Sequence, residues 1–261
     1  MSGFPQLGLT LALAKLERRA PLQPAARKAF MKLDTRRRSF AVQKDIVREG
    51  DTSSTCLFLE SGVVSGSKML PSGGRQIVVF HVAGDLLGLA SALLIVADHS
   101  LRAHVSTVVL AVAHADILRL AEDFPEIGRA FWFETLVDAS IFREWNLNLG
   151  RRGARERLAH LIMEIGYKLE AAGIDQKADY AFPITQIDLA DALGLTPVHV
   201  NRCIQWLRSS GYIENAGRRM VIPDWGALAD FASFRPLYMH PEGPRALTVT
   251  SGRSDRWKLD A

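Results

Sequence analysis

Residues 193–208, "LGLTPVHVNRCIQWLR", hold the side chains whose types and spacing could do chemistry. Thr196 is a cap and Pro197 a first-turn residue, so a helix starts there. Its exposed N-terminal face is Pro197, Val198, His199, Asn201 and Arg202. Such a face can read base edges in a major groove. The planar fork of Arg202 suits a guanine, Asn201 an adenine and Val198 a thymine methyl, whereas His199 is better suited to a backbone contact. Downstream, "SSGYIENAGRRMVIPD" reads as strand, turn and strand, with Arg218 and Arg219 at the tip where they could touch phosphates. Cys203 follows Arg202 and reads as a small buried hydrophobe. The sharper reading is a redox thiol whose oxidation disturbs the exposed face.

These side chains need a scaffold, and the pattern around them supplies one. "TQIDLADALGLTPVHVNRCIQWLRSSGYI" has the spacing of a helix-turn-helix. Thr185 and Asp188 stand in a capping-box-like relation, and Gln186 opens the first helix. Leu189, Leu193, Val200 and Ile204 bury the inner faces, Ala190 allows a close crossing, and Gly194 takes the left-handed turn.

Earlier in the chain the texture differs. From about Ser39 to Ala113, short β-branched runs alternate with glycine turns, as in a small antiparallel barrel or jelly roll, and Gly73-Gly74 marks a hairpin. A long helix follows Pro125, with more apolar surface than one globular face needs. A second copy of the chain is the expected cover, the alternative being that all of it packs on the barrel. "GRRGAR", residues 150–155, reads as a hinge, and "ERLAHLIMEIGYKLEAAG" as an amphipathic helix closed by Gly173. The fold class is therefore α+β. It comprises a β-roll domain over 15–123, a dimerisation helix over 124–149, a winged helix-turn-helix over 150–236 and a flexible tail over 237–261.

Composition bounds the function. A chain of 261 residues with 48% hydrophobic content can bury two cores. The formal net charge of +4 permits nucleic-acid contact without proving it, and "RRAPLQPAARKAFMKLDTRRR" reads as a solvated basic face with a loop. The apolar stretch "LGLTLALAKL" is too short to span a bilayer, so no membrane partner is expected. Two distant cysteines, Cys56 and Cys203, exclude a disulfide framework, a CxxC zinc site and a cysteine-ligated iron–sulfur cluster, and suit the cytoplasm. His81, His99, His104 and His114 are of the type that binds haem, but a lone histidine on a strand is usually structural, so no cofactor or metal is expected. No GxSxG, HExxH, Walker or GxGxxG context points to an enzyme. A cupin-like metal enzyme is the enzymatic alternative, weakened by the absence of any His-x-His pair. A jelly-roll ligand-binding module with a non-DNA helical domain is the other, against which the helix-turn-helix and wing argue.

Over roughly residues 15–232, the motifs "EGD", "LFLESGVV", "GGRQIVVFHVAGDLLG", the long helix after "FPEI" and "ITQIDLADALGLTPVHVNRCIQWLRSSGYI" resemble the Crp/Fnr family of bacterial transcription regulators, with the last block similar to its Fnr/FixK-like branches. The resemblance implies a homodimer joined by the long helix, a cyclic-nucleotide-binding-like β-roll that senses a small-molecule effector, a winged helix-turn-helix on palindromic double-stranded promoter DNA, and RNA polymerase as a partner. The effector pocket would then lie around Gly84, Asp85, Leu89, His99 and Arg102. Departures from the family matter here. The cyclic AMP receptor type has a Gly-Glu pair and a later Arg-Ser pair; this chain has Leu89 at the glutamate place and His99 or Ala97 at the arginine place. Leucine cannot hold a ribose hydroxyl and neutral histidine is a poor phosphate clamp, so a cyclic nucleotide is not expected unless Arg102 is recruited. Where Fnr-like proteins carry Glu-x-x-Ser-Arg, this chain has "VHVNR", with Arg202 matching the arginine.

Overall fold

The computed structural model describes residues 7–216 and 218–241. The chain opens with α1 (Leu7–Arg19) and α2 (Pro24–Phe30) and continues through β1 (Arg36–Phe40), β2 (Asp45–Val47), β3 (Thr55–Ser61), β4 (Val63–Met69), β5 (Arg75–Val82) and β6 (Leu86–Leu87). A short α3 (Ser91–Leu94) leads to β7 (Ser100–Ala103) and β8 (Thr107–Ala113). Then come α4 (His114–Asp123), α5 (Pro125–Arg151) and α6 (Ala154–Ala171). The remainder is β9 (Asp179–Ala181), α7 (Gln186–Leu193), α8 (Pro197–Ser209), β10 (Glu214–Ala216), β11 (Arg219–Val221), α9 (Trp225–Ala232) and a 3-10 turn at Pro236–Met239.

Two four-stranded antiparallel sheets, ordered β1-β8-β3-β6 and β2-β7-β4-β5, face each other as a β-roll. Strand alternation sends Ile46, Leu57, Leu59, Val64, Leu87, Leu101 and Val109 into the space between them. The opposite side of β3 and β8 presents Cys56, Phe58, Leu110 and Val112 to α1, α2, α4 and the start of α5. The apolar N-terminal stretch is thus a helix packed on the roll. Leu9, Ala12, Leu13 and Leu16 are buried at the i, i+3, i+4, i+7 spacing of one helix face. This helix lies mostly before residue 15, where the β-roll domain was expected to start.

The helix α5 holds 27 residues, about 40 Å at 1.5 Å per residue. One face, Ile127, Phe131, Glu134, Val137, Ile141 and Trp145, is buried against the chain itself. Expected over 124–149, it runs two residues further, and the hinge shrinks to Arg152 and Gly153. Half of a capping box explains where the chain restarts, since Glu156 Oε2 accepts the Gly153 amide at 2.8 Å while glycine has no side chain to return the bond. Arg152 limits the play of this joint by donating to Asn148 Oδ1 and Glu144 Oε1, both at 2.7 Å.

Residues 237–241, expected to begin the flexible tail, are docked instead. Met239 is buried and Tyr238 Oη donates to Glu164 Oε2 at 2.8 Å, so two side chains anchor a segment without periodicity. The rest of the expected tail, 242–261, lies outside the described residues.

The β-roll and the C-terminal half share an extended core. Ile77, Phe80 and Val82 of β5 join Trp145, the buried face of α6, and Leu189 and Leu193 of α7. A polar clasp closes the same contact: Arg75 reaches Asp188 at 2.7 Å and Asp191 at 2.6 Å, and His104 Nδ1 lies 3.3 Å from Asp188 Oδ2. Burial pushes the Asp188 carboxyl up, but the adjoining His104 imidazole, the hydrogen bond from the Thr185 hydroxyl and the Arg75 guanidinium outweigh it and hold the group well below the carboxylate range. A folded pKa below the unfolded value of about 3.9 means the stabilisation is present above that pH and is lost as pH falls. Melting temperature should therefore drop on acidification from about pH 5 toward pH 2, and Asp188→Asn should flatten that limb in thermal unfolding.

Candidate nucleic-acid interface and effector pocket

Thr185 Oγ1 accepts the Asp188 amide at 3.2 Å, and Gly194 ends α7 in the left-handed region at φ 63. Thr196 Oγ1 accepts the His199 amide at 3.2 Å, and Pro197 follows at the first turn of α8. Val200, Cys203 and Leu207 face inward on α8, which leaves Val198, His199 and Arg202 exposed and Asn201 half-buried on the outer arc. Ile204, expected on the inner face, is only half-buried at the edge, because the spacing of 200, 203 and 207 gives Cys203 that place. Gln186 is brought against this arc: Asn201 Nδ2 donates to its Oε1 at 3.3 Å, which fixes the Asn201 amide beside Arg202. Two residues were missed by the sequence reading. Gln205 continues the exposed arc one turn beyond Arg202. Arg155, from the start of α6, stacks over Trp206 at 4.4 Å and shares a surface hollow with Thr196, Val198, His199, Arg202 and Cys203. Helical spacing signals the first; nothing local in the sequence signals the second.

Cys203 is 2% exposed. Burial pushes its thiol up, with Arg155 pulling the other way, so its surroundings are those of an inert packed sulfur. At the wing, Arg218 is exposed at the turn. Arg219, expected beside it as a phosphate contact, donates to Asp179 Oδ1 at 2.7 Å and Asp175 Oδ1 at 3.0 Å. Its register opposite Ala181 on β9 turns the guanidinium toward those carboxylates, so it braces the wing rather than reaching from its tip.

The expected effector residues do not converge. The space inside the β-roll, lined by Val47, Leu57, Leu87, Ser91, His99 and Leu101, measures about 50 Å³ and is largely apolar. That is smaller than the roughly 300 Å³ or more of typical ligand pockets. Of the residues named for the pocket only His99 lines this space, together with Ala97, the alternative at the arginine place. Leu89 packs into the helical cluster beside the roll. Alternation on β7 puts Leu101 inside and Arg102 outside, where it donates to Asp45 Oδ1 at 2.8 Å and, with burial opposing, keeps that carboxyl low. Gly84 and Asp85 lie against α1. Asp85 Oδ1 meets Lys15 Nζ at 2.9 Å and its Oδ2 accepts the Val82 amide at 3.1 Å. Nor do the histidines gather: His81 sits by Asp85, His99 by Asp98, His104 by Asp188 and His114 by Ser91. Among the described residues no group of three or more His, Cys, Asp or Glu could hold a metal ion.

A β-roll, a long helix and a capped helix-turn-helix with a wing define a DNA-binding regulator with an N-terminal β-roll domain. Comparison with known proteins agrees. A cyclic nucleotide-binding domain model matches residues 37–124 and a Crp-like helix-turn-helix domain model matches residues 156–231. The chain is 32% identical over 196 residues to a probable transcriptional activator of Rhizobium leguminosarum bv. viciae, covering 74% of this chain and 79% of that protein. It is 26% identical over 198 residues to the transcriptional activator protein FnrL of Cereibacter sphaeroides, covering 75% and 77%. The structure of FixK2 from Bradyrhizobium japonicum superposes with a TM-score of 0.70 at 26% identity, covering 76% of this chain and 98% of that one. The chain belongs to the Crp/Fnr family: it is a transcription regulator with a helix-turn-helix DNA-binding domain, and not an enzyme. Among the described residues no helix is long and apolar enough to cross a membrane.

Proposed function

We propose that the protein acts in the cytoplasm as a homodimer joined along α5, reads palindromic promoter DNA with Val198, Asn201 and Arg202 of each α8, and works with RNA polymerase. The observation that carries this reading is the outer face of α5. Trp132 and Leu136 are 68% and 54% exposed, and Ala139, Arg143 and Leu147 continue the same stripe at helical spacing, opposite the face buried within the chain. Large apolar side chains left on one side of a long helix favour a matching helix. Two-fold symmetry then sets two half-sites about one turn of DNA, roughly 34 Å, apart. The packing of the paired helices would set that spacing, whether an effector biases it or the dimer is always competent. No haem, cyclic nucleotide or metal enters this reading.

Leu136→Glu tests it. Wild type should sediment as a dimer and the variant as a folded monomer that no longer retains a palindromic duplex. A monomeric wild type, or a variant still dimeric and bound, would overturn the proposal.

A further inference from the structure

A cavity of about 200 Å³ lies away from the β-roll interior, where α1, the turn before β6, α5, α6 and the segment after α9 meet. Its walls are apolar at Leu11, Ala83, Val137, Ile141 and Met239 and charged elsewhere. Most of the charge is already matched. Lys15 pairs with Asp85 at 2.9 Å and with Glu134 at 2.6 Å, and Arg19 pairs with the other Glu134 oxygen at 2.6 Å. Lys168 donates to the Phe80 carbonyl at 3.0 Å and faces Glu164 at 3.7 Å.

Two lining groups of opposite sign remain, the half-buried Asp138 and Arg18 at the solvent-exposed rim. Neither Asp138 nor Arg18 has a hydrogen-bond or ion-pair partner among the described residues, and they do not pair with each other. Burial raises the Asp138 carboxyl despite Lys15, His81 and Lys168 nearby, as fits a carboxylate without a hydrogen-bond donor. Burial and Arg19 lower the Arg18 guanidinium, and the Tyr167 hydroxyl beside it is another unused donor. An unpaired carboxylate, a guanidinium at the rim beside an unused hydroxyl, and apolar side chains line one cavity, and together they match one ligand chemistry.

We infer that this cavity binds a small zwitterion, an α-amino acid with a compact apolar side chain, its ammonium on Asp138 and its carboxylate on Arg18 and Tyr167. A cavity of about 150 Å³ holds a benzene ring, so this one, about 200 Å³, suits a molecule of roughly eight non-hydrogen atoms. Because the walls come from the β-roll side, α5 and α6, an occupant bridges the elements whose relative packing sets the DNA-reading helices. That last consequence rests on the regulator reading; the binding itself does not.

The test is thermal unfolding of the full-length protein with each standard amino acid at millimolar concentration, followed by titration calorimetry of any hit. At least one aliphatic amino acid should raise the melting temperature by a few degrees. The gain should vanish in Asp138→Asn and in Arg18→Gln, and persist in the surface variant Arg37→Ala. The matching carboxylic acid without its amine should give at most a fraction of the gain. No shift with any amino acid, a gain retained in both site variants, or an equal gain from the des-amino acid would each overturn the inference. None of these outcomes depends on DNA being bound.

Discussion

Arg202→Ala is expected to leave a folded dimer that binds DNA weakly and without sequence preference. Arg202 is exposed on the outer arc of α8, with the Asn201 amide oriented beside it by Gln186. A bidentate arginine-guanine contact discriminates by about 1–3 kcal/mol, and a symmetric dimer uses it twice, so the loss should be about 2–6 kcal/mol per palindrome. Phosphate contacts remain, so the residual binding should keep a steep dependence on salt. The measurement is the affinity ratio of selected to random duplex at one fixed salt concentration. An unchanged ratio with a shallower salt slope would make Arg202 a phosphate contact instead.

Glu134→Gln should be the most destabilising single change at the junction of α1 and α5. The carboxylate is 4% exposed and takes Arg19 on one oxygen and Lys15 on the other. Lys15 keeps Asp85 afterwards, but Arg19 loses its counter-charge and keeps only neutral acceptors, the amide oxygen and the His240 carbonyl, with the Phe133 ring. Breaking a buried pair from one side typically costs 3–5 kcal/mol, because the remaining charge is left in a poor solvent. Partial exposure of Lys15 argues for the lower end, about 3 kcal/mol, or roughly 6–12 °C in melting temperature for a chain of this size. The control is Arg37→Ala, which breaks a pair with Glu60 on the exposed surface and should cost less than about 1 kcal/mol. Equal melting of the two variants would show that Glu134 is not a structural anchor.

The helix-turn-helix was legible because every local device in it is a sequence pattern. Thr185, Gly194, Thr196 and Pro197 each act within four residues of themselves, and the structure places all of them at the caps and turn expected. The β-roll was legible from alternation and glycine turns. What the sequence hid depends on contacts between distant segments. The helical spacing of Leu9, Ala12, Leu13 and Leu16 is plain, but only the sheet face carrying Phe58 and Val112 explains why that helix stays. The side of β7 on which Arg102 falls is set by pairing with β2 and β4, so nothing near it in sequence revealed that Asp45 had already claimed it. Arg219 was misplaced for a similar reason: its partners, Asp179 on β9 and Asp175 just before it, lie 40 and 44 residues earlier. Trp225–Ala232, a helix capped by the Asp224 carboxylate on the Ala227 amide, was assigned no element of its own within the 150–236 domain.

Selection of bound sequences from a random duplex pool, by wild type and by Arg202→Ala in parallel, tests the central claim most directly. The account predicts that wild type enriches one inverted repeat with half-site centres one helical turn apart, and that the variant enriches none. Enrichment of the same repeat by both proteins, or of a single unrepeated site by wild type, would contradict it.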